Sequence, residues 1–106
     1  MTENKTVRFA EIAYELAELY ARKNSDYGDS FGKTYKEFKK FGDNCGNASA
    51  LTRMADKMNR ITQLLLNDQP QKVKDEKITD TLCDLASYSI MLLIELENEK
   101  KERGDT

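Results

Sequence analysis

The stretch that decides the fold is DEKITDTLCDLASY, residues 75–88. It opens the longest apolar-periodic segment of the chain, which continues through Ile94. Four residues of the stretch are spaced four apart and form one stripe on a helix: Glu76, Asp80, Asp84 and Tyr88. Like charges at this spacing repel, and no Lys or Arg lies three or four residues from Asp84. A basic side chain or a divalent cation from elsewhere must therefore compensate these carboxylates.

Length and composition limit the class of protein. The 106 residues are enough for one domain with a modest core, and the 34% of charged residues predicts a highly charged surface. The formal charge of −2 offers no electrostatic attraction to DNA or RNA, so we expect no direct nucleic-acid binding. No apolar run is long enough to span a bilayer or to form the core of a signal peptide, so we expect a cytoplasmic protein without membrane contact. The absence of histidine excludes a His-based catalytic triad and a His-ligated zinc site.

Apolar periodicity predicts four helices and no strands. They are expected at about residues 6–23, from residue 30 to the turn at 42–46, at 47–66 and at 75–103. Thr6 and Asp75 are the expected N-caps of the first and last helix. The segment Lys23–Gly32 is rich in turn-forming residues and is expected to be a loop, with Tyr27 in the turn itself. Residues 1–5 and 104–106 should fray.

Four helices with short connections and one apolar face each predict an all-α, four-helix bundle-like fold, with residues 1–106 as a single domain. In the second helix, the aromatic residues expected to face the core are Phe31, Tyr35 and Phe38. In the fourth, the apolar residues lie opposite the acidic stripe: Ile78, Leu82, Leu85, Leu93 and Leu96. Helices this amphipathic in so short a chain often complete their cores across subunits, so we expect a homo-oligomer.

The polar side of the third predicted helix carries four charged residues: Arg53, Asp56, Lys57 and Arg60. Mg²⁺ takes oxygen ligands, commonly from a few carboxylates together with substrate phosphates. A cation held between Asp56 and the acidic stripe of the fourth helix would therefore place the basic residues, and Lys23 from the first loop, beside phosphate oxygens. The spacing is compatible with such a site.

A structural alternative explains the same residues without a cation. Arg53 and Arg60 can pair with Asp56 on an exposed surface, because they lie three and four residues from it. The basic side of the third helix can also neutralise Asp80 and Asp84 directly, which would give an ion-pair network with no ligand. The spacing alone leaves both alternatives open.

Three segments of the chain occur in a familiar order: KNSDYGDSF (residues 23–31), RMADKMNR (53–60) and the stretch 75–88. Together they resemble the nucleotide modification associated domain of phages and bacteria, over about Phe9 to Leu96. That family is similar to a MazG-like branch of the all-α nucleoside triphosphate pyrophosphatases. The resemblance implies a MazG-like fold, a homodimer or homotetramer, and the host cytoplasm as location if the chain is phage-encoded.

The resemblance also implies a Mg²⁺-dependent pyrophosphohydrolase, with Mn²⁺ as a substitute, that cleaves a (deoxy)nucleoside triphosphate into pyrophosphate and a monophosphate. It assigns four carboxylates to the metal: Asp56, Glu76, Asp80 and Asp84. Three of them are the catalytic residues, one of which would orient or deprotonate water: Asp56, Asp80 and Asp84. The nucleotide would be bound by a further set: Lys23, Asp26, Tyr27, Arg53, Lys57, Arg60 and Tyr88.

The acidic set is smaller here than the superfamily pattern requires. The third helix offers Asp56 alone where two or three glutamates are usual, and the fourth has Glu-x₃-Asp-x₃-Asp in place of Glu-x-x-Asp. The alternative function is therefore a non-catalytic protein that binds a nucleotide or nucleotide signal, or an accessory factor to DNA base modification. A helical oligomer without a ligand is the third possibility.

Overall fold

Every regular element is a helix in the residues that the structure, a computed structural model, describes: 4–67 and 77–104. The elements are four helices: α1 (Lys5–Tyr27), α2 (Ser30–Lys39), α3 (Cys45–Leu65) and α4 (Ile78–Glu102). The all-α prediction is confirmed, and none of these helices is both long and apolar enough to cross a membrane. The chain divides into two compact units, Met1–Ser30 and Phe31–Thr106.

The first unit consists of α1, which begins earlier than predicted. Asn4 is the N-cap, and its side-chain oxygen accepts a hydrogen bond of 3.2 Å from the backbone N–H of Val7. The prediction of Thr6 as the cap is therefore wrong. An asparagine side chain satisfies a free N–H group of the first turn as well as threonine does, so the sequence offered two equivalent caps two residues apart.

The C-terminal end of α1 corrects the loop predicted for Lys23–Gly32. The helix continues through Tyr27, and the chain turns only at Gly28 and Asp29, which both have left-handed backbone angles (φ 58° and 57°). The N–H of Gly28 bonds to the carbonyl oxygen of Asn24, as is usual where a glycine ends a helix. Polar turn formers are poor but tolerated helix residues, so the glycine decides where this helix stops.

In the second unit, α2 packs closely on the start of α3. Tyr35 is 2% exposed and Phe31 7%, which confirms both as core residues. Phe38 is 48% exposed, so its predicted place in the core is wrong within the chain. Gly46 makes the close approach possible, because a Cβ atom there would lie 2.8 Å from the backbone oxygen of Tyr35.

A polar network joins α2, α3 and α4 beside this packing. The hydroxyl of Tyr35 donates to Oε1 of Glu99 at 2.6 Å and lies 3.0 Å from Oδ1 of Asn47. Lys39 pairs with the same oxygen of Glu99 at 2.9 Å. Burial raises the pKa of Tyr35, with the charge of Glu99 as a further cause. The hydrogen bond from Tyr35, followed by that from Lys39, lowers the pKa of Glu99.

Tyr35→Phe should lower the free energy of unfolding by about 1–3 kcal/mol, because it removes a buried hydrogen bond to a charged acceptor. It should also reduce the loss of stability in acid. A lowered pKa of Glu99 means that the contribution is present above the ordinary value of 4.5 and is lost as the pH falls through the folded-state value. Denaturant unfolding at neutral and acidic pH measures both effects.

The matched control is Tyr14→Phe, since Tyr14 lies on α1 and is 68% exposed. It should leave stability and its pH dependence unchanged. Equal acid sensitivity of wild type and Tyr35→Phe would show that the contact between Tyr35 and Glu99 does not stabilise the folded chain.

Helix α4 turns a different face inward from the one its apolar residues predict. Three predicted core residues are 44, 54 and 41% exposed: Leu82, Leu93 and Leu96. The side chains buried in their place are polar, Thr81 (0% exposed) and Glu95 (8%). Of the acidic stripe, Asp84 faces α3 and Tyr88 is half-buried, whereas Asp80 is exposed.

The start of α4 also differs from the prediction. The described helix begins at Ile78 with Lys77 as the N-cap, two residues after the N-cap predicted at Asp75. The carboxylate of Asp80 accepts a hydrogen bond of 3.3 Å from the backbone N–H of Lys77. Asp75 and Glu76 lie outside the described residues, and so does the predicted role of Glu76 as a metal ligand.

Candidate functional site

The candidate site lies where the basic face of α3 meets α2 and α4. Three cationic side chains at positions 53, 57 and 60 share this face, because they are spaced by four and three residues. Lys57 contacts Asp84 and Arg60 contacts Thr81, so the position on α4 decreases as the α3 number rises and the two helices run antiparallel. The row extends over about 10 Å along α3, since each helical residue rises 1.5 Å.

The middle contact of the row is an ion pair. Nζ of Lys57 lies 3.1 Å from Oδ2 of Asp84, with 22% of the lysine and 29% of the aspartate side chain exposed. A basic residue of α3 thus compensates Asp84, as the structural alternative proposed. The partner in this ion pair is Lys57, which lies on the same helical face as Arg53 and Arg60. Sequence spacing could not distinguish the three, because all of them lie on the same helical face.

The contact at the C-terminal end of the row uses a buried hydroxyl. Nε of Arg60 donates to Oγ1 of Thr81 at 3.1 Å, and Thr81 is fully buried. This hydrogen bond orients a half-buried guanidinium while leaving its charge intact. Thr81 is absent from the predicted site, although the sequence carries a signal for it, since residues 81, 84 and 88 share one face of α4.

At the other end of the row, Arg53 contacts only neutral groups within the described chain. Its Nη2 donates to Oγ1 of Thr34 at 3.3 Å, and its guanidinium carbon lies 5.6 Å from the centre of the Phe31 ring. Phe31 stacks on Tyr88, with ring centres 5.9 Å apart and planes 20° from parallel. A half-buried guanidinium held by a hydroxyl and a ring keeps its charge available for an anion.

The three predicted metal ligands that the structure describes differ in their surroundings. Asp84 pairs with Lys57, Asp80 is exposed at the start of α4, and Asp56 is exposed on α3. Across residues 4–67 and 77–104, no three side chains among His, Cys, Asp and Glu come together in a group that could hold a metal ion.

The remaining predicted substrate residues lie on two different helices. Lys23, Asp26 and Tyr27 occupy the last turns of α1, in the first compact unit, with Lys23 and Asp26 exposed. Tyr88 is half-buried in the second unit, where Phe31 covers it. The structure brings together Tyr88, Phe31 and Arg53 as one cluster.

One known family matches the sequence. The family model described as Nucleotide modification associated domain 1 matches residues 23–96, about seven-tenths of the chain, and this range contains every contact of the basic row. No curated protein and no solved structure gives a significant match. The chain thus belongs to the nucleotide modification associated domain 1 family.

Proposed function

We propose that this protein binds a nucleotide through its phosphates at the basic row of α3, as part of a system that modifies nucleotides. The observation that carries the proposal is Arg53, whose half-buried guanidinium has only neutral partners among the described residues. Burying a cation without an anionic partner costs free energy. A phosphate group is the partner that a planar guanidinium binds best, because two parallel N–H donors match two phosphate oxygens.

The neighbouring residues support a nucleotide more than inorganic phosphate. Arg60 lies about 10 Å from Arg53 along the same face of α3, far enough to meet a second phosphate group. Tyr88, at the Arg53 end of the row, is half-buried and offers an aromatic surface for the base or sugar. The family description, nucleotide modification, is consistent with both features.

Binding should not require a divalent cation, because Asp84 already has a cationic partner in Lys57. Calorimetric titration with the four deoxynucleoside triphosphates should give saturable binding of at least one of them in EDTA. Adding Mg²⁺ should change that affinity by less than about tenfold, which corresponds to 1.4 kcal/mol. Lack of binding by any nucleotide, or binding that appears only with Mg²⁺, would contradict the proposal.

A second candidate function is the Mg²⁺-dependent, MazG-like pyrophosphohydrolase. The observation in its favour is that Lys57 and Asp84 of two facing helices meet directly, as a site built between those helices requires. Asp56, Asp80 and Asp84, with Glu76, would hold Mg²⁺ or Mn²⁺, which would supply charge stabilisation to the phosphates. We place this function second because no three side chains among His, Cys, Asp and Glu of the described residues come together in a group that could hold a metal ion. Pyrophosphate release that Asp80→Asn abolishes would reverse the order.

We also propose that the protein is a homo-oligomer, in which a second copy covers the exposed apolar face of α4. The members of this face are half or nearly half exposed: Leu82, Ile90, Leu93, Ile94 and Leu96. Contiguous apolar surface of this kind usually marks an interaction site. An identical partner is the simplest occupant, because the two copies would bury equivalent surfaces against each other.

Leu93→Glu should therefore shift the protein towards a monomer, since it places a charge in the centre of that face. Sedimentation velocity at several protein concentrations measures the shift. The matched control is Asn98→Glu, which adds the same charge at an exposed position of α4 about 140° round the helix from Leu93 and should keep the wild-type assembly. A wild-type protein that sediments as a monomer at all concentrations would contradict this proposal.

A further inference from the structure

Two residues of helix α2 contact Arg53, although none of the substrate-binding residues predicted from the sequence lies on α2. Phe31 and Thr34 are three residues apart on α2 and therefore share one face. Phe31 is buried and Thr34 is half-buried, and each contacts the guanidinium of Arg53 on α3. The two contacts differ in direction, one through the ring face and one through a hydroxyl oxygen.

We infer that Thr34 and Phe31 are positioning residues of the nucleotide site, which hold the Arg53 guanidinium in the orientation that a phosphate requires. This inference rests on the proposed nucleotide-binding function. The Phe31 ring lies 5.6 Å from the guanidinium carbon and supports the planar group. The hydrogen bond from Nη2 to Thr34, at 3.3 Å, then fixes its rotation.

Both contacts that hold the Arg53 guanidinium are with uncharged groups. A guanidinium has five N–H donors, and within the described chain the protein accepts one of them, at Thr34. A carboxylate at position 34 would hold the side chain equally well but would neutralise it. A hydroxyl and an aromatic ring hold the guanidinium without neutralising its positive charge. Its remaining N–H donors therefore still attract an anion. A long side chain that is already ordered also loses less conformational entropy when the ligand binds.

Thr34 gives the cleaner test, because Phe31 also stacks on Tyr88 and a change there would disturb two contacts. Thr34→Val keeps the shape of the side chain and removes the acceptor. It should weaken binding of the deoxynucleoside triphosphate that wild type binds by about fivefold to tenfold, the usual range for one hydrogen bond. Thr34→Ser, which restores the hydroxyl, should bind within about twofold of wild type.

The matched control is Thr52→Val. Thr52 is exposed on α3, next to Arg53, and its hydroxyl donates to the carbonyl oxygen of Ala48 within the same helix. This variant makes the same substitution as Thr34→Val, but at a residue that contacts no part of the site. Its affinity should equal that of wild type.

A double-mutant cycle separates positioning from general stabilisation. If Thr34 acts through Arg53, adding Thr34→Val to Arg53→Gln should cause no further loss of affinity. A merely structural role would lower the affinity by the same factor in both backgrounds and would lower Tm together with it. Titration calorimetry and thermal unfolding of the full chain supply the two measurements.

The outcomes distinguish the inference from the function on which it rests. If wild type binds no nucleotide, both fail. If wild type binds and Arg53→Gln weakens binding while Thr34→Val does not, the nucleotide site stands and the positioning role of Thr34 is refuted. Equal losses from Thr34→Val in both backgrounds would refute it as well. The positioning role is established if Thr34→Val weakens nucleotide binding and Thr34→Ser restores it. Thr34→Val must also have no effect on affinity in the Arg53→Gln background.

Discussion

Arg53→Gln should weaken binding of a deoxynucleoside triphosphate by about tenfold to a hundredfold. This range corresponds to the 1.5–3 kcal/mol expected for hydrogen bonds to a charged group. The contacts of Arg53 in the described chain are all with neutral groups, so its charge is not already used by them. Glutamine retains one donor group and much of the length but loses the charge and the paired N–H geometry.

Two further variants sharpen this result. Arg53→Lys keeps the charge without the planar pair of donors and should bind with intermediate affinity. Arg8→Gln is the charge-matched control, because Arg8 lies exposed on α1 and forms a 3.6 Å ion pair with Glu15. It should leave affinity unchanged. Equal losses from Arg8→Gln and Arg53→Gln would reduce the effect to overall charge and would contradict a specific role for Arg53.

The second large effect is on stability. Gly46→Ala should lower the free energy of unfolding by about 3 kcal/mol, at the upper end of the cost of overpacking. The added Cβ would lie 2.8 Å from the backbone oxygen of Tyr35 and 3.2 Å from its ring, and a backbone atom cannot move aside as a flexible side chain can. Because α2 carries both contacts to Arg53, displacement of α2 should also weaken nucleotide binding.

The sign of the Gly46→Ala effect makes it a decisive test. In a helix without such a contact, replacing glycine by alanine stabilises the protein by about 0.5–1 kcal/mol. Chemical denaturation followed by circular dichroism measures the difference. A stabilised variant would show that α2 does not pack on the first turn of α3 as it does in this structure. The proposed contacts of Thr34 and Phe31 with Arg53 would then lose their basis.

The number, order and type of the helices follow from periodicity alone, because each segment repeats its apolar residues at helical spacing. The residues at which the helices begin and end are predicted less well from the sequence. Asn4 and Thr6 are equivalent caps by composition, and Asn24, Ser25 and Asp26 favour turns yet remain in α1 until a glycine stops it. Local propensity is a weak signal wherever a stronger one lies a few residues away.

The sequence predicted that the basic face of α3 would meet the acidic residues of α4. It did not predict which side chains would contact each other. The unrelieved charge of Asp84 predicts a cationic partner, and the structure supplies Lys57. The contacts of Arg53 with α2 could not be predicted, because they depend on how closely α2 approaches α3 at Gly46. The polar inward face of α4 is likewise a tertiary effect, in which side-chain pairing across helices outweighs the usual burial of apolar residues.

A crystal structure of the protein with Mg²⁺ and a non-hydrolysable deoxynucleoside triphosphate tests the central claim most directly. We predict phosphate oxygens within hydrogen-bonding distance of the Arg53 guanidinium, with Thr34 and Phe31 still in contact with it. We also predict that Lys57 remains close to Asp84. A nucleotide bound elsewhere, with Arg53 making no contact to phosphate, would contradict the account. A cation held jointly by Asp80 and Asp84, with Lys57 displaced, would instead support the pyrophosphohydrolase.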